Sequence, residues 1–194
     1  MKTITRILTA LLMLALVVSC CCKGGKKAAQ NTDPGKAVET YFNAIDKYLT
    51  DTIGNQYLGG DICVPFHSYI AVDEKNDEDI LVWGDFWVMN YNIVGDTLKA
   101  ISGGSHPGKM HIKMDKDGHF EVTGFEPVGD GADFQPTAEA IFGDKYADFQ
   151  AAQADQEKRE RIRGEVLAGV VKKYDLDVKF YQDYGWPAVE IPVK

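Results

Sequence analysis

Cysteine is nearly missing from the body of this 194-residue chain. Three of its four cysteines are the consecutive Cys20, Cys21 and Cys22, and only Cys63 lies beyond them. A lone thiol excludes an internal disulfide, and a region of about 160 residues is large enough to stand on its apolar core alone. Cys63 sits in the apolar run Ile62-Cys63-Val64, which predicts a buried, inert thiol. Positive charge is scarce as well. From residue 33 onward 16 Lys and Arg face 29 Asp and Glu, a balance of −13, which suits neither nucleic acid nor an anionic lipid surface. No glycine-rich phosphate loop or dinucleotide fingerprint occurs, so no cofactor is implied. His106, His111 and His119 are spaced by five and eight residues, which fits no compact zinc motif, and no metal is expected. His67, between Phe66 and Ser68, reads as a half-buried sheet residue.

No apolar run reaches the roughly 20 residues of a membrane-spanning helix. The longest, Ile7 to Val18, follows Lys2 and Arg6 and leads into Leu16-Val17-Val18-Ser19-Cys20. A charged start, a short apolar stretch and a small residue just before a cysteine make the lipobox of a cleavable bacterial lipoprotein signal. Residues 1–19 are therefore expected to be removed and Cys20 to carry acyl groups (palmitate or a similar chain), several of which together anchor a protein stably. Cys21 is not acidic, so the retention signal of an inner-membrane lipoprotein is missing, and the outer membrane is the expected location. Residues 20–32, with Lys23-Gly24-Gly25-Lys26-Lys27, cannot form a core and read as a lipidated stalk. Residues 33–194 show neither a composition break nor an internal repeat, and read as one domain.

That domain opens with Asp33 as N-cap, Pro34 at the first helical position, and one apolar stripe of Val38, Tyr41, Phe42, Ile45, Tyr48 and Leu49, ending near Gly54. Strand-like runs follow at 62–72, 80–94, 97–102, 109–114 and 119–126. Gly95-Asp96 and Asp115-Lys116-Asp117-Gly118 are their hairpin turns. The run from Ile80 to Val94 is apolar on both sides, with Leu81, Trp83, Trp87, Met89, Tyr91 and Ile93 opposite Ile80, Val82, Phe86 and Val88. It should be a central strand covered on both faces. Met110, Ile112 and Met114 alternate with His111 and Lys113, so one face of that strand meets water. Pro136 to Phe142 reads as a short helix stopped by Gly143, and Asp155 to Tyr174 as a longer one with Ile162, Val166, Leu167, Val170, Val171 and Tyr174 on one face. Its charge run, Glu157 to Arg163, reads as a solvated face. Val178–Tyr181 and Ala188–Ile191 read as two short closing strands. The outcome is an α+β fold: an N-terminal helix packed on a curved antiparallel β-meander, a C-terminal helical extension and two closing strands.

A helix followed by a curved meander resembles the cystatin-like cone and the nuclear transport factor and ketosteroid isomerase superfamily, a likeness of element order that the extension after Phe142 departs from. The segments Val82-Trp83-Gly84-Asp85-Phe86-Trp87, Ser102 to Gly108, Phe142 to Tyr146 and Asp183-Tyr184-Gly185-Trp186-Pro187 are also similar to those of uncharacterised exported lipoproteins of gut bacteria. That resemblance implies no catalytic residue.

Two constellations could carry chemistry. Asp85 lies by alternation between Trp83 and Trp87, and desolvation of a carboxylate between indoles is what a general acid or base requires. Buried carboxylates in structural networks share that setting. Ser102, Ser105 and His106 lie in a segment with three glycines, read as a connecting loop that could rim a ligand site; residues adjacent in sequence rarely make a nucleophile–base pair. Trp83, Trp87, Tyr91, Phe42 and Tyr41 could line an aromatic hollow around Asp85. The sequence thus points to a lipid-anchored binding or interaction module for an unknown small molecule or envelope protein. The alternatives are an isomerase-like pocket enzyme using Asp85, or a structural or immunity-type envelope protein.

Overall fold

The structure is a computed structural model that describes residues 40–192. The lipobox with Cys20, the stalk, and the helix start at Asp33 and Pro34 lie outside the described residues. From Thr40 the chain forms helix α1 (Tyr41–Tyr48), which widens into a π-turn (Leu49–Ile53) and then tightens into a 3₁₀ turn (Gly54–Gln56). Six strands, β1 (Ile62–Asp73), β2 (Ile80–Val94), β3 (Thr97–Met114), β4 (Phe120–Pro127), β5 (Phe180–Gln182) and β6 (Val189–Glu190), make one sheet. Between β4 and β5 run α2 (Phe134–Phe142), α3 (Tyr146–Ala154) and α4 (Gln156–Tyr174). The fold is α+β.

β1 to β4 form an antiparallel meander; β5 joins β3 in parallel and β6 closes on β5. The two hairpin turns form where glycine permits a left-handed backbone, Gly95 at φ 63° and Gly118 at φ 85°. Register slips at Tyr69/Ala71, Asn90/Tyr91 and His111/Ile112 are β-bulges, which bend and twist the strands that carry them.

Both faces of β2 are covered. On one, Ile80, Val82, Phe86 and Val88 pack with Met110 and Ile112 against Ile45, Leu49 and Ile53 of the first helical stretch. On the other, Trp87 and Tyr91 pack with Val64, Phe66 and Leu98 against Leu167 and Val171 of α4. Each fully buried aliphatic side chain contributes about 1.5–3 kcal/mol. A third cluster, Val128, Ala138, Phe142 and Phe149, seats α2 and α3 beside Trp83.

Three expectations change. The segment Ser102 to Gly108 is no loop: the runs 97–102 and 109–114 are one 18-residue strand, β3, because its glycines pair along β2 where a side chain would collide with neighbouring backbone or Tyr57. The aromatic set expected around one hollow divides between two layers: Trp87 and Tyr91 belong with α4, whereas the half-buried Phe42 and Tyr41 belong with α1. Helix α3 was not anticipated, since its segment Tyr146–Ala154 buries only Phe149 and so shows no apolar stripe. Among the described residues no helix is long and apolar enough to cross a membrane.

Candidate functional site

Asp85 stands on β2 opposite Ser68 of β1 and Pro107 of β3, on the face that α4 covers, and is 3% exposed. Ser105 Oγ donates to its Oδ1 at 2.7 Å, and Arg159 Nη1 donates to its Oδ2. The Arg159 guanidinium also stacks on the Trp87 ring, 4.1 Å from the ring centre. Strand alternation does place Asp85 beside indoles, but a cation and a hydroxyl fill the space where a reacting group would have to sit. Both oxygens of the carboxylate are engaged.

One helical turn further, Arg163 repeats the arrangement. Its side chain is 8% exposed, forks onto both oxygens of Asp183 and donates through Nε to Tyr91 Oη at 3.1 Å. Its guanidinium lies 4.4 Å from the centre of the Tyr181 ring, and Tyr181 Oη donates to Glu160 at 2.9 Å. Burial alone would weaken the charge on Arg163; the hydrogen bond and proximity to Asp183 outweigh it and hold the proton more firmly than usual. Burial pushes the Tyr91 hydroxyl up to about 12, against the pull of Arg163; burial and then the bond to Glu160 do the same for Tyr181. The two ion pairs stitch α4 to the sheet.

Arg159 and Arg163 were missed because the run Glu157 to Arg163 reads as solvated. A signal was present: Arg159, Arg163, Leu167 and Val171 recur every four residues, so both arginines stand on the stripe that faces the sheet. The anchor of this face, Asp155, caps α4 by accepting from Lys158 N at 2.9 Å.

Ser105 and His106 do not cooperate. Neighbours on a strand point to opposite faces: Ser105 shares that of Trp87, whereas His106 shares that of Phe86. His106 Nε2 instead pairs with Tyr57 Oη at 2.8 Å, and burial lowers its pKa despite nearby Asp130 and Asp85. Tyr57 lies over Gly104, where a Cβ would come within 2.2 Å of its hydroxyl. Ser102 accepts from Asn90 at 3.2 Å and donates to the carbonyl of Leu58.

The aromatic set does not close around one hollow. Phe42 packs on Tyr69 at 4.7 Å between ring centres, and Tyr41 on Phe120 at 5.9 Å, on the α1 side of the sheet, away from Trp87 and Tyr91. Of the aromatic candidates, Trp83 alone lines a described cavity. This is an open cleft of about 530 Å³ with walls from Val72, Asp73, Glu74, Lys75 and Lys145. Its Nε1 donates to the carbonyl of Ile141 at 2.9 Å, and the Lys145 ammonium lies 4.7 Å from the ring centre. A second cavity of about 630 Å³ separates α4 from β6.

The remaining polar candidates are held in local pairs. His67 is half-buried, 3.1 Å from Asp46 and stacked on Tyr69. His111 bridges Asp79 at 2.8 Å and Glu126 at 2.7 Å. Burial would lower its pKa, but these bonds raise it above the usual imidazole value. His119 lies 3.3 Å from Asp115. Cys63 is a partly buried free thiol whose pKa is raised by burial and by Asp51. Among the described residues no group of three or more His, Cys, Asp or Glu is arranged to hold a metal ion. Comparisons of the chain with family models, with curated proteins and with solved structures find no match.

Proposed function

We propose that this is an exported protein anchored to the cell envelope, in the outer membrane, through acyl groups on Cys20, and that its domain works by binding rather than by proton transfer. The Val17-to-Cys20 box behind a 12-residue apolar run supports the anchor. The single observation that carries the binding reading is the closure of Asp85, whose two oxygens are occupied by Ser105 and Arg159. A general base must be within reach of the proton it takes, and a carboxylate 3% exposed beneath the Arg159 guanidinium and the Ser105 hydroxyl offers no such approach.

The fold reads as an elaborated cystatin-like cone. A helix laid on a bulged antiparallel meander supports this, with α2 to α4 added on the opposite face. A small ligand would sit in the Trp83 cleft, where a half-exposed indole lies 4.7 Å from one ammonium and 6.0 Å from another, that of Lys109. Such a setting suits a planar group.

Replacing Cys20 by Ser and fractionating cells tests the anchor: the variant should leave the membrane fraction. Asp85→Asn tests the binding reading. It should change ligand affinity only modestly, whereas loss of a turnover by about a hundredfold or more with the fold intact would establish the enzyme alternative.

A further inference from the structure

The segment Asp183-Tyr184-Gly185-Trp186-Pro187 contributes only Asp183 to the site described above, and the rest of it is displayed. Trp186 N donates to Asp183 O at 3.1 Å, and Gln182 Nε2 donates to Trp186 O at 2.8 Å. Gly185 supplies the left-handed residue at φ 78°, and Arg163 grips Asp183 from below. This tight, well-anchored turn leaves Tyr184 96% and Trp186 71% exposed. From Tyr184 to Val189 every residue is exposed and none is charged, in a domain whose balance is −13. Aromatic rings displayed in water on an anchored turn mark a surface built to be covered.

Beside the turn lies the groove of about 630 Å³ between α4 and β6, whose lining combines Gly164, Ala168, Tyr181, Val189 and Pro192 with charged side chains from both elements. Val189 belongs to both features, so rings and groove form one continuous patch. β6 ends the sheet, and among the described residues no strand pairs with its outer edge. An uncovered edge is a template for pairing with another chain.

We infer that the Tyr184–Val189 turn, the β6 edge and the adjoining groove join two copies of this chain as a twofold dimer, the rings of each copy seated in the groove of the other. A twofold interface needs projection and receptacle on one patch, and this patch holds both. Two rings from each copy, at about 150–250 Å² apiece, together with the surface they cover, bury roughly 1,200–2,000 Å², the size of a standard specific interface. Charge favours the same place. Two copies at −13 repel over most of their surface, whereas the turn is neutral and the groove is close to balanced, with Glu160, Glu165 and Glu190 against Arg161 and Lys172.

A bilayer is the weaker occupant. The described chain begins at Thr40, where Tyr41 rests on Phe120 beside Met114, while Gln182 pairs with Lys99. Those two positions on β3 stand up to about 50 Å apart, so the turn sits at the far end of the sheet from Tyr41.

The test uses the full chain. Two copies bearing different tags are expressed together and extracted in excess detergent; one is purified and the other quantified. The wild type should recover both, and Tyr184→Ala with Trp186→Ala should lower co-recovery at least tenfold. Tyr174→Ala, at an exposed ring on α4 outside the patch, should leave it unchanged. Circular dichroism and melting of the variants confirm that exposed substitutions spare the fold. A photoreactive residue in place of Val189 should give a covalent product of twice the chain mass containing this chain alone. Absent co-recovery in the wild type, undiminished co-recovery in the double variant, or a cross-link to another protein or to lipid would overturn the dimer.

Discussion

The pair of buried Arg163 and part-exposed Asp183 should respond asymmetrically to removal of its two halves. Arg163 is 8% exposed and Asp183 39%. Removing Arg163 as Arg163→Met keeps most of the packed volume, and the carboxylate left behind rehydrates at the surface. The remaining loss is the Tyr91 hydroxyl, in a residue with no exposure, which forfeits its only described partner. An unsatisfied buried hydroxyl costs about 1–3 kcal/mol. Removing the other half as Asp183→Ala leaves an 8%-exposed guanidinium without its counter-charge, at up to about 3–5 kcal/mol. In a domain of this size each kcal/mol moves the melting temperature by about 2–4 °C. Asp183→Ala should therefore melt up to roughly 6–20 °C below the wild type and clearly below Arg163→Met. The double variant should recover part of that loss, since no stranded charge is left. Urea unfolding read by tryptophan fluorescence gives the three free energies. Equal losses in the two single variants, or less than about 1 kcal/mol for Asp183→Ala, would refute the claim that this pair is a desolvated clamp on α4.

Two histidines should bend the pH profile in opposite senses around the ordinary imidazole value of 6.5. His111 binds its proton more tightly folded than unfolded, so its contribution is complete below 6.5 and is lost as pH rises through its elevated folded pKa; His111→Asn should flatten the alkaline side. His106 binds its proton less tightly folded, so its contribution is present above 6.5 and is lost as pH falls through its depressed pKa; His106→Asn should flatten the acid side. Unfolding free energies measured from pH 5 to 8 decide both, and unaltered slopes would contradict them. Gly103→Ala should destabilise by about 2 kcal/mol or more, because φ is 146° there and a Cβ would stand 2.2 Å from the Val88 carbonyl. Gly59→Ala, with open space around it, is the matched control, and equal melting of the two would count against the crowding argument.

Much of the fold was legible because period and turn chemistry agreed. The run Ile80 to Val94 is apolar on both sides and became the doubly covered β2, with the boundaries its composition suggests. Asp155 and Tyr174 bracket α4 as a capping residue and a last stripe position should. The break came where composition and pairing disagree. Ser102 to Gly108 has the residues of a loop, yet its backbone is paired along β2, and pairing is a property of the partner strand that a local reading does not contain. The candidate site suffered from the same locality. Asp85 was found by its two tryptophans, but its partner Arg159 lies 74 residues away inside a charge run. Long amphipathic cations stand on an apolar stripe when a buried carboxylate waits beneath it, and only the four-residue spacing of Arg159, Arg163, Leu167 and Val171 hints at that. Phe42 and Trp87 were grouped because both are aromatic and periodic; alternation along a strand says which residues share a face, not which face a given helix will cover.

The proposal of a lipid-anchored binding protein is tested most directly at its N-terminus. Membranes from cells expressing the full chain are extracted, the chain is digested, and the N-terminal peptide is weighed by mass spectrometry. The account predicts a peptide that begins at Cys20 and carries the added mass of a diacylglyceryl group, with or without a further acyl chain on its amine. An N-terminal peptide beginning elsewhere, or one beginning at Cys20 with no acyl mass, would contradict it.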